Sequence, residues 1–377
     1  MTENASLAMA NGPRMAKTLS SGAGAAGADR GVALLRTMVR IRVLEEGIEK
    51  HFLAGDIPGF AHLSIGQEAV AAGTCANLRR DDAIASTHRG HGHTLAKGTT
   101  MRAMVAELFA RATGVCKGKG GSMHIADFSV GMLGANGVVA GGFGLVAGAA
   151  LSAVLRKTDQ VAVCFFGDGA TNRGPFHENL NLCAIWNLPA IFVLENNRYA
   201  STTSTAETMK ITDVARRADG YGIPAAIVDG FDALAVFDAL ETAVARARSG
   251  SGPTFVECKT YRARGHYIGD PERYRRKAEV EDVMSASDPI VRMQAVLGDD
   301  LPPDHFERLW AEARDEFTDA VAFARSSPSP EADEAFFGVY AGDRDPADPI
   351  HRIAARERDA LMPFAPSVAA GSQGSGH

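Results

Sequence analysis

Two kinds of hydrophobic pattern divide the chain. In GVALLRTMVRIRVLEEGIEKHFLAG, Leu34, Met38, Ile41, Leu44 and Ile48 recur at helical spacing and Gly55 supplies a stop, which predicts an amphipathic helix. From about residue 60 to residue 265 the pattern changes. Short apolar runs, VAVCFF (161–166), AIFVLE (190–195), AAIVDG (225–230) and TFVECKTY (254–261), alternate with helix-like segments. Strands that are apolar throughout belong in a parallel sheet covered on both faces. GGFGLVAGAALSAVL reads as a helix with Gly144 and Gly148 on one face, suited to close approach at a subunit interface or against the sheet. After about Arg276 the chain turns charged and helical. Ser287 is the expected N-cap within SASDPIVRMQAVLG, and DHFERLWAEARDEFTDAVAFARS follows as an amphipathic helix.

The expected fold class is therefore α/β: a parallel sheet with helices on both faces and helical N- and C-terminal extensions. Residues 1–30 read as a low-complexity, disordered segment. Residues 31–345 read as one domain with C-terminal helices, and 346–377 as an extension and flexible tail. The first segment contains a literal GxGxxG at Gly22, Gly24 and Gly27. No strand precedes it and no βαβ unit surrounds it, so the match carries no dinucleotide site.

Composition narrows the class. The chain has 377 residues, 46% of them hydrophobic, enough to fill a substantial core. A net charge of −6 does not favour nucleic acid or an anionic membrane as partner. Cys75, Cys116, Cys164, Cys183 and Cys258 are scattered without metal-binding spacing, as in a reducing cytoplasm. No secretory h-region opens the sequence, and the apolar segment 143–155 is too short to span a bilayer. The expectation is a soluble, cytoplasmic protein.

The chemistry gathers at two polar punctuations. VAVCFF ends on Gly167, Asp168 and Gly169, and AIFVLE ends on Asn196 and Asn197. Read as adjacent parallel strands joined by a helix from about Gly174 to Trp186, they form one βαβ unit. Residues 170 to 195 separate the two signals, 26 positions, a fitting length for one crossover. Asp168 and Asn197 then stand just past the carboxyl ends of both strands, where open α/β sheets bind ligands. A carboxylate and an amide carbonyl are hard oxygen donors for Mg²⁺ or Ca²⁺, and flanking glycines let backbone N–H groups approach an anion. Mg²⁺ holding a diphosphate is the physical inference. Taken singly, GDG is a tight turn and NN a polar one.

GDG followed by 26 residues and NN resembles the thiamine diphosphate motif. PGFAHLSIGQEAVAAG (58–73), STHRGHGHTLAKG (86–98), GVCKGKGGSMHIAD (114–127), GANGVVAGG (134–142) and YRARGHYIGDPERYR (261–275) narrow the resemblance. Over about residues 31–345 the chain is similar to the α subunit of thiamine-dependent 2-oxo acid dehydrogenases, the E1 components of pyruvate and acetoin dehydrogenases. That resemblance implies an oxidoreductase that decarboxylates a 2-oxo acid or cleaves acetoin and passes the acyl unit to the lipoyl group of an E2 partner. The cofactor would supply an ylid that attacks carbonyl carbon. Residue by residue, it implies that Asp168 and Asn197 bind Mg²⁺ through side chains and Tyr199 through its main-chain carbonyl. Gly167, Gly169 and Ala170 would line the diphosphate, with Arg89 as its fixed cation and His88 alongside. Gly137 and Val139 would hold the aminopyrimidine ring through main-chain groups. His266 would lie near the diphosphate and reacting centre, and Phe60 and His62 near cofactor and substrate. His62 and His266 are the candidate catalytic residues, able to stabilise an oxyanion or move a proton.

The activating glutamate of such enzymes lies on a second α/β domain that this chain lacks. The resemblance therefore implies a separate E1 β subunit in an α2β2 heterotetramer. His91, His93 and His124 read equally well as structural. The Lys117/Lys119 pair sits in a glycine-rich loop, but the spacing does not fit GxxxxGK[ST], and a structural loop is the safer reading. His88 before Arg89 tilts the resemblance toward acetoin-type subunits. Tyr267 stands where kinase-regulated relatives carry serine, and Arg173 replaces a more usual glutamine. Two other classes compete: a catalytically inactive cofactor-binding or assembly subunit, which the intact Asp168, Asn197, Arg89 and His266 oppose, and an NAD-dependent oxidoreductase, which lacks a placed GxGxxG.

Overall fold

The computed structural model describes residues 25–298, 301–302 and 304–336. The chain divides into two units, 1–329 and 330–377. The described part of the second contains a single 3₁₀ turn, Ala332–Phe336. The expectations for residues 1–24 and for the tail 346–377 lie outside the described residues.

The first helix, α1 (Ala25–Leu53), begins ahead of the expected Gly31. Leu34, Met38, Ile41, Leu44 and Ile48 are all buried, and Gly55 follows the helix at φ +83°. Next come α2 (Glu68–Cys75), β1 (Ala83–Ala85), α3 (His91–Lys97), α4 (Met101–Leu108) and β2 (Met132–Gly134). After α5 (Gly142–Leu155) comes the expected βαβ unit: β3 (Ala162–Gly167), α6 (Gly174–Ile185) and β4 (Ala190–Asn196). A small hairpin, β5 (Tyr199–Ala200) and β6 (Thr203–Ser204), leads through α7 (Thr205–Thr208) to β7 (Ala225–Asp229), α8 (Ala233–Arg248) and β8 (Thr254–Lys259). The helices α9 (Lys277–Ser287), α10 (Pro289–Leu297) and α11 (His305–Ser326) close the unit.

The six long-range strands pair in the order β2–β1–β3–β4–β8–β7, all parallel. Both faces of the central strands are covered, as the continuous apolar runs predict, whereas the edge strand β7 leaves Ile227 exposed. Cys164, Phe166, Phe192 and Leu194 pack with Phe143 of α5 and Phe176 of α6 on one side. Val163, Phe165, Ile191 and Val193 pack with Val70 of α2 and with Val236 and Leu240 of α8 on the other. From β1 the chain passes to β2 on one side and then to β3 on the other. The topological switch point therefore lies between β1 and β3.

One cap differs from expectation. Ser287 is the last residue of α9, and Asp288 caps α10, its Oδ1 accepting from the N–H of Ile290 at 2.9 Å and of Val291 at 3.3 Å. The reason is Pro289 at the first helical position, which makes the preceding residue the cap. On α5, Gly144 and Gly148 are both exposed. No helix among the described residues is long and apolar enough to cross a membrane.

Candidate functional site

A cavity of about 350 Å³ opens over the carboxyl ends of the central strands, at the switch point. Its walls are Ser86–Arg89 after β1, residues 136–142 after β2, residues 164–170 at the end of β3, and Asn197 with Tyr199–Ser201 after β4; Arg262 and His266 enter from beyond β8. Gly167 leaves open space where a Cβ would stand, and Gly169 has Ala200 2.7 Å from that position, so a side chain at 169 would collide with the β5 turn.

Asp168 is almost fully buried at the start of a 3₁₀ turn, Asp168–Asn172, and its Oδ2 has no hydrogen-bond partner among the described residues. Burial pushes its carboxyl up to about 6. One end of the Asn197 amide lies 3.3 Å from Asp168 Oδ1 and 3.2 Å from the Tyr199 carbonyl oxygen. The amide has two self-consistent orientations. Turned one way, its NH₂ donates to both oxygens. Turned the other way, Nδ2 donates to Gln67 Oε1 at 3.0 Å and three oxygens converge from Asp168, Asn197 and Tyr199. Three acceptors that close, with an unpartnered carboxylate oxygen beside them, form a donor set for a hard divalent cation. The turn carrying them is held in an uncommon conformation, with Arg198 at φ +72° and Ser201 at φ +54°. Arg262, itself buried, steadies it by donating to the carbonyls of Tyr199 at 3.3 Å and Ser201 at 2.9 Å.

The second polar group centres on Arg89. Its Nη1 donates to the Leu63 carbonyl at 2.7 Å, and Nη2 to the His266 carbonyl at 2.8 Å and to His266 Nδ1 at 3.2 Å. Burial lowers its pKa to about 9, with Arg262 adding to the effect, so it stays charged at neutral pH. His62, His88 and His266 surround it edge to face, their ring centroids 4.6, 5.0 and 5.4 Å apart. Burial and the Arg89 charge bring His62 down to about 3 and His266 to about 4, and push His88 lower still, so all three rings are neutral. Each offers a ligand nitrogen within 4.8 Å of the others, the spacing of a three-histidine metal site. The hydrogen bonds argue otherwise. Arg89 occupies the Nδ1 lone pair of His266, which leaves Nε2 protonated, a donor rather than a ligand. A charged guanidinium beside unpartnered His62 Nδ1 and His88 Nε2 suits an anion with polar edges better than a second cation.

The structure thus brings His62, His88, Arg89, Gly137, Val139, Gly167, Asp168, Gly169, Ala170, Asn197, Tyr199 and His266 to one cavity. Phe60 stands apart, exposed and edge-on to Tyr267 at 6.0 Å between centroids. Arg173 is exposed and outside the lining. His91 and His93 are structural: His91 is buried between Glu45 and Ser122, and His93 lies between Ser86 and Glu195, stacked on Phe165 at 3.8 Å. His124 is exposed. Sequence reasoning missed Gln67 and Arg262. Both lie inside the quoted stretches 58–73 and 261–275, but nothing local marks either as buried.

Comparison with known proteins identifies the family. The family described as "Dehydrogenase E1 component" matches residues 36–333. The α subunit of acetoin:2,6-dichlorophenolindophenol oxidoreductase from Bacillus subtilis is 46% identical over 312 residues, 83% of this chain and 94% of that protein. The protein of that name from Cupriavidus necator is 43% identical, over 82% of this chain and 93% of its own length. The pyruvate dehydrogenase E1 component α subunit of Rhizobium meliloti is 41% identical, over 81% of this chain and 88% of its own.

Proposed function

Because the chain belongs to the dehydrogenase E1 component family, we propose that it is the α subunit of a thiamine diphosphate-dependent E1 dehydrogenase. It cleaves acetoin or decarboxylates a 2-oxo acid such as pyruvate, and hands the acyl unit to the lipoyl group of an E2 partner. The observation that carries this reading is a single cavity holding both the Asp168–Asn197–Tyr199 oxygen set and the Arg89–histidine cluster.

When bound, thiamine diphosphate supplies the carbanion chemistry that a side chain does not. The chain's own residues bind and orient. Asp168, Asn197 and the Tyr199 carbonyl would hold Mg²⁺, whose charge offsets the cost of the buried carboxylate. Arg89, anchored on two carbonyls, presents its charge to the diphosphate, and the glycines at 167 and 169 admit phosphate oxygens to the backbone. His266 carries its proton on Nε2, so it donates a hydrogen bond to a phosphate or a developing oxyanion. His62, neutral with an unpartnered Nδ1, is placed to hydrogen-bond the substrate at the carbonyl centre.

The cleft rim is apolar and open: Val138 is 66% exposed and Val139 50%. This supports a β subunit covering the cleft in an α2β2 heterotetramer. The five free cysteines support a cytoplasmic location. The test is to co-express the chain with an E1 β-type subunit and follow reduction of 2,6-dichlorophenolindophenol with acetoin, pyruvate and branched 2-oxo acids. Turnover requiring both chains, thiamine diphosphate and Mg²⁺ is expected. Full activity of the isolated chain, or turnover with NAD alone, would refute the reading.

A further inference from the structure

The glycine-rich loop at 114–121 has the look of a phosphate cradle, yet its concave side is filled from within. Glu107, near the end of α4, is fully buried. Its Oε2 accepts from the backbone N–H groups of Cys116 and Gly118, both at 2.8 Å. Its Oε1 accepts from Gly120 at 2.8 Å and Gly121 at 3.1 Å. Four N–H groups converging on one carboxylate make an anion nest, and the anion is part of the chain. The loop closes so tightly that a Cβ on Gly114 would stand 2.4 Å from Oε2. Lys117, Gly118 and Gly121 adopt positive φ to complete the wrap.

The loop so fixed supports the cavity. Immediately after it, the Ser122 hydroxyl meets His91 Nε2 at 2.8 Å and Met123 lines the cavity. The next residues brace the opposite rim: Ala135 N–H donates to the Ile125 carbonyl at 2.8 Å, and Asp127 exchanges backbone bonds with Met132. The His124 ring lies 3.4 Å from where a Cβ on Gly137 would stand. No other anion enters this nest without displacing Glu107.

We infer that Glu107 is a positioning residue whose carboxylate sets the course of residues 116–121, and through them the Met123 wall and the Gly137–Val139 rim of the cleft. The consequence for cofactor affinity rests on the function proposed above; the placement of Met123 does not.

The experiment uses the full chain with its β-type subunit, labelled at methionine methyls, in wild-type, Glu107→Ala and Glu107→Gln forms. Two quantities are read well below the thermal midpoints: the Met123 methyl resonance and the affinity for thiamine diphosphate with Mg²⁺ by calorimetry. In Glu107→Ala the Met123 signal should shift or broaden and cofactor affinity fall about 10- to 100-fold, as expected for the loss of buried charged hydrogen bonds. Formate, a carboxylate small enough for the vacated nest, should restore both, whereas chloride at equal ionic strength should not. Glu107→Gln keeps the shape but turns an NH₂ against N–H donors, so it should show a smaller defect that formate does not repair. An unmoved Met123 signal in either variant overturns the inference, as does a shifted signal with wild-type cofactor affinity. If Glu107→Ala fails to fold, the glutamine variant decides by the same criteria. A wild-type complex that binds no cofactor while Met123 still responds to Glu107 and formate would refute the proposed function and leave the positioning role standing.

Discussion

Arg89 Nη2 donates to the carbonyl oxygen of His266 at 2.8 Å and to its ring Nδ1 at 3.2 Å. One cation thereby fixes the backbone, the ring orientation and the tautomer of a neighbour 177 positions away in the chain. The tautomer bears on the proposed function, because it leaves His266 Nε2–H as a donor in the cavity.

A donor is what a glutamine side chain supplies at nearly the same reach. His266→Ala should lower kcat/KM about 10²- to 10³-fold, and His266→Gln should recover a substantial part of that loss. Steady-state kinetics of the reconstituted complex checks this. Equal losses in the two variants would mean that the ring acts as a base, not as a donor.

The neutral histidines also make stability depend on pH. His62 and His266 have folded-state values near 3 and 4, below the ordinary 6.5. A histidine lowered in this way stabilises the fold fully above pH 6.5, and that contribution is lost progressively as pH falls from 6.5 through 4 and then 3. After solvent screening each is worth on the order of 1–2 kcal/mol. Denaturant melts at pH 7, 5 and 4 should therefore show a smaller loss for a His62→Gln, His266→Gln double variant than for the wild type. Parallel losses would contradict the assigned shifts.

Asp168 makes the opposite trade. Its carboxyl is raised from 3.8 to about 6 by burial, so ionisation at neutral pH strains the fold until a cation answers it. In the absence of divalent cation at pH 8, Asp168→Asn should be more stable than the wild type by up to about 3 kcal/mol. Added Mg²⁺ and thiamine diphosphate should raise the thermal midpoint of the wild-type complex and leave that of the variant unchanged. A variant less stable than the wild type without cation would show that Asp168 serves the fold.

The α10 cap offers a check away from the site. Asp288 binds two backbone N–H groups through Oδ1 and Arg42 through Oδ2 at 3.0 Å, whereas Ser287 only ends α9. Asp288→Ala should cost about 1–3 kcal/mol and Ser287→Ala within about 0.5 kcal/mol, by equilibrium unfolding.

What was legible in the sequence follows from how each residue declares itself. VAVCFF and AIFVLE are buried on both sides in β3 and β4, and their polar ends had to lie past the carboxyl ends of the strands, so Asp168 and Asn197 stood out. The strands that create the switch point did not. β1 and β2 are three residues each, too short for any periodicity to register. Gln67, Glu107 and Arg262 read as solvent-facing by residue type, and each is buried because its partner is remote in the chain or wrapped around it. Arg262 reaches the Tyr199 carbonyl across 63 positions, a relationship that only the parallel pairing of β4 with β8 creates. The loop around Lys117 and Lys119 reads as structural and is so, though the sequence does not show why: its glycines enclose an anion supplied by Glu107.

The proposed function rests on Asp168, Asn197 and Tyr199 anchoring a Mg²⁺–diphosphate in the switch-point cavity. Its most direct test is calorimetric titration of thiamine diphosphate with Mg²⁺ into the complex with the β-type subunit, comparing the wild type with Asp168→Ala. Saturable binding by the wild type, at least about 100-fold weaker in the variant, is the predicted result. Equal affinity in the two, or binding that is indifferent to Mg²⁺, would contradict it.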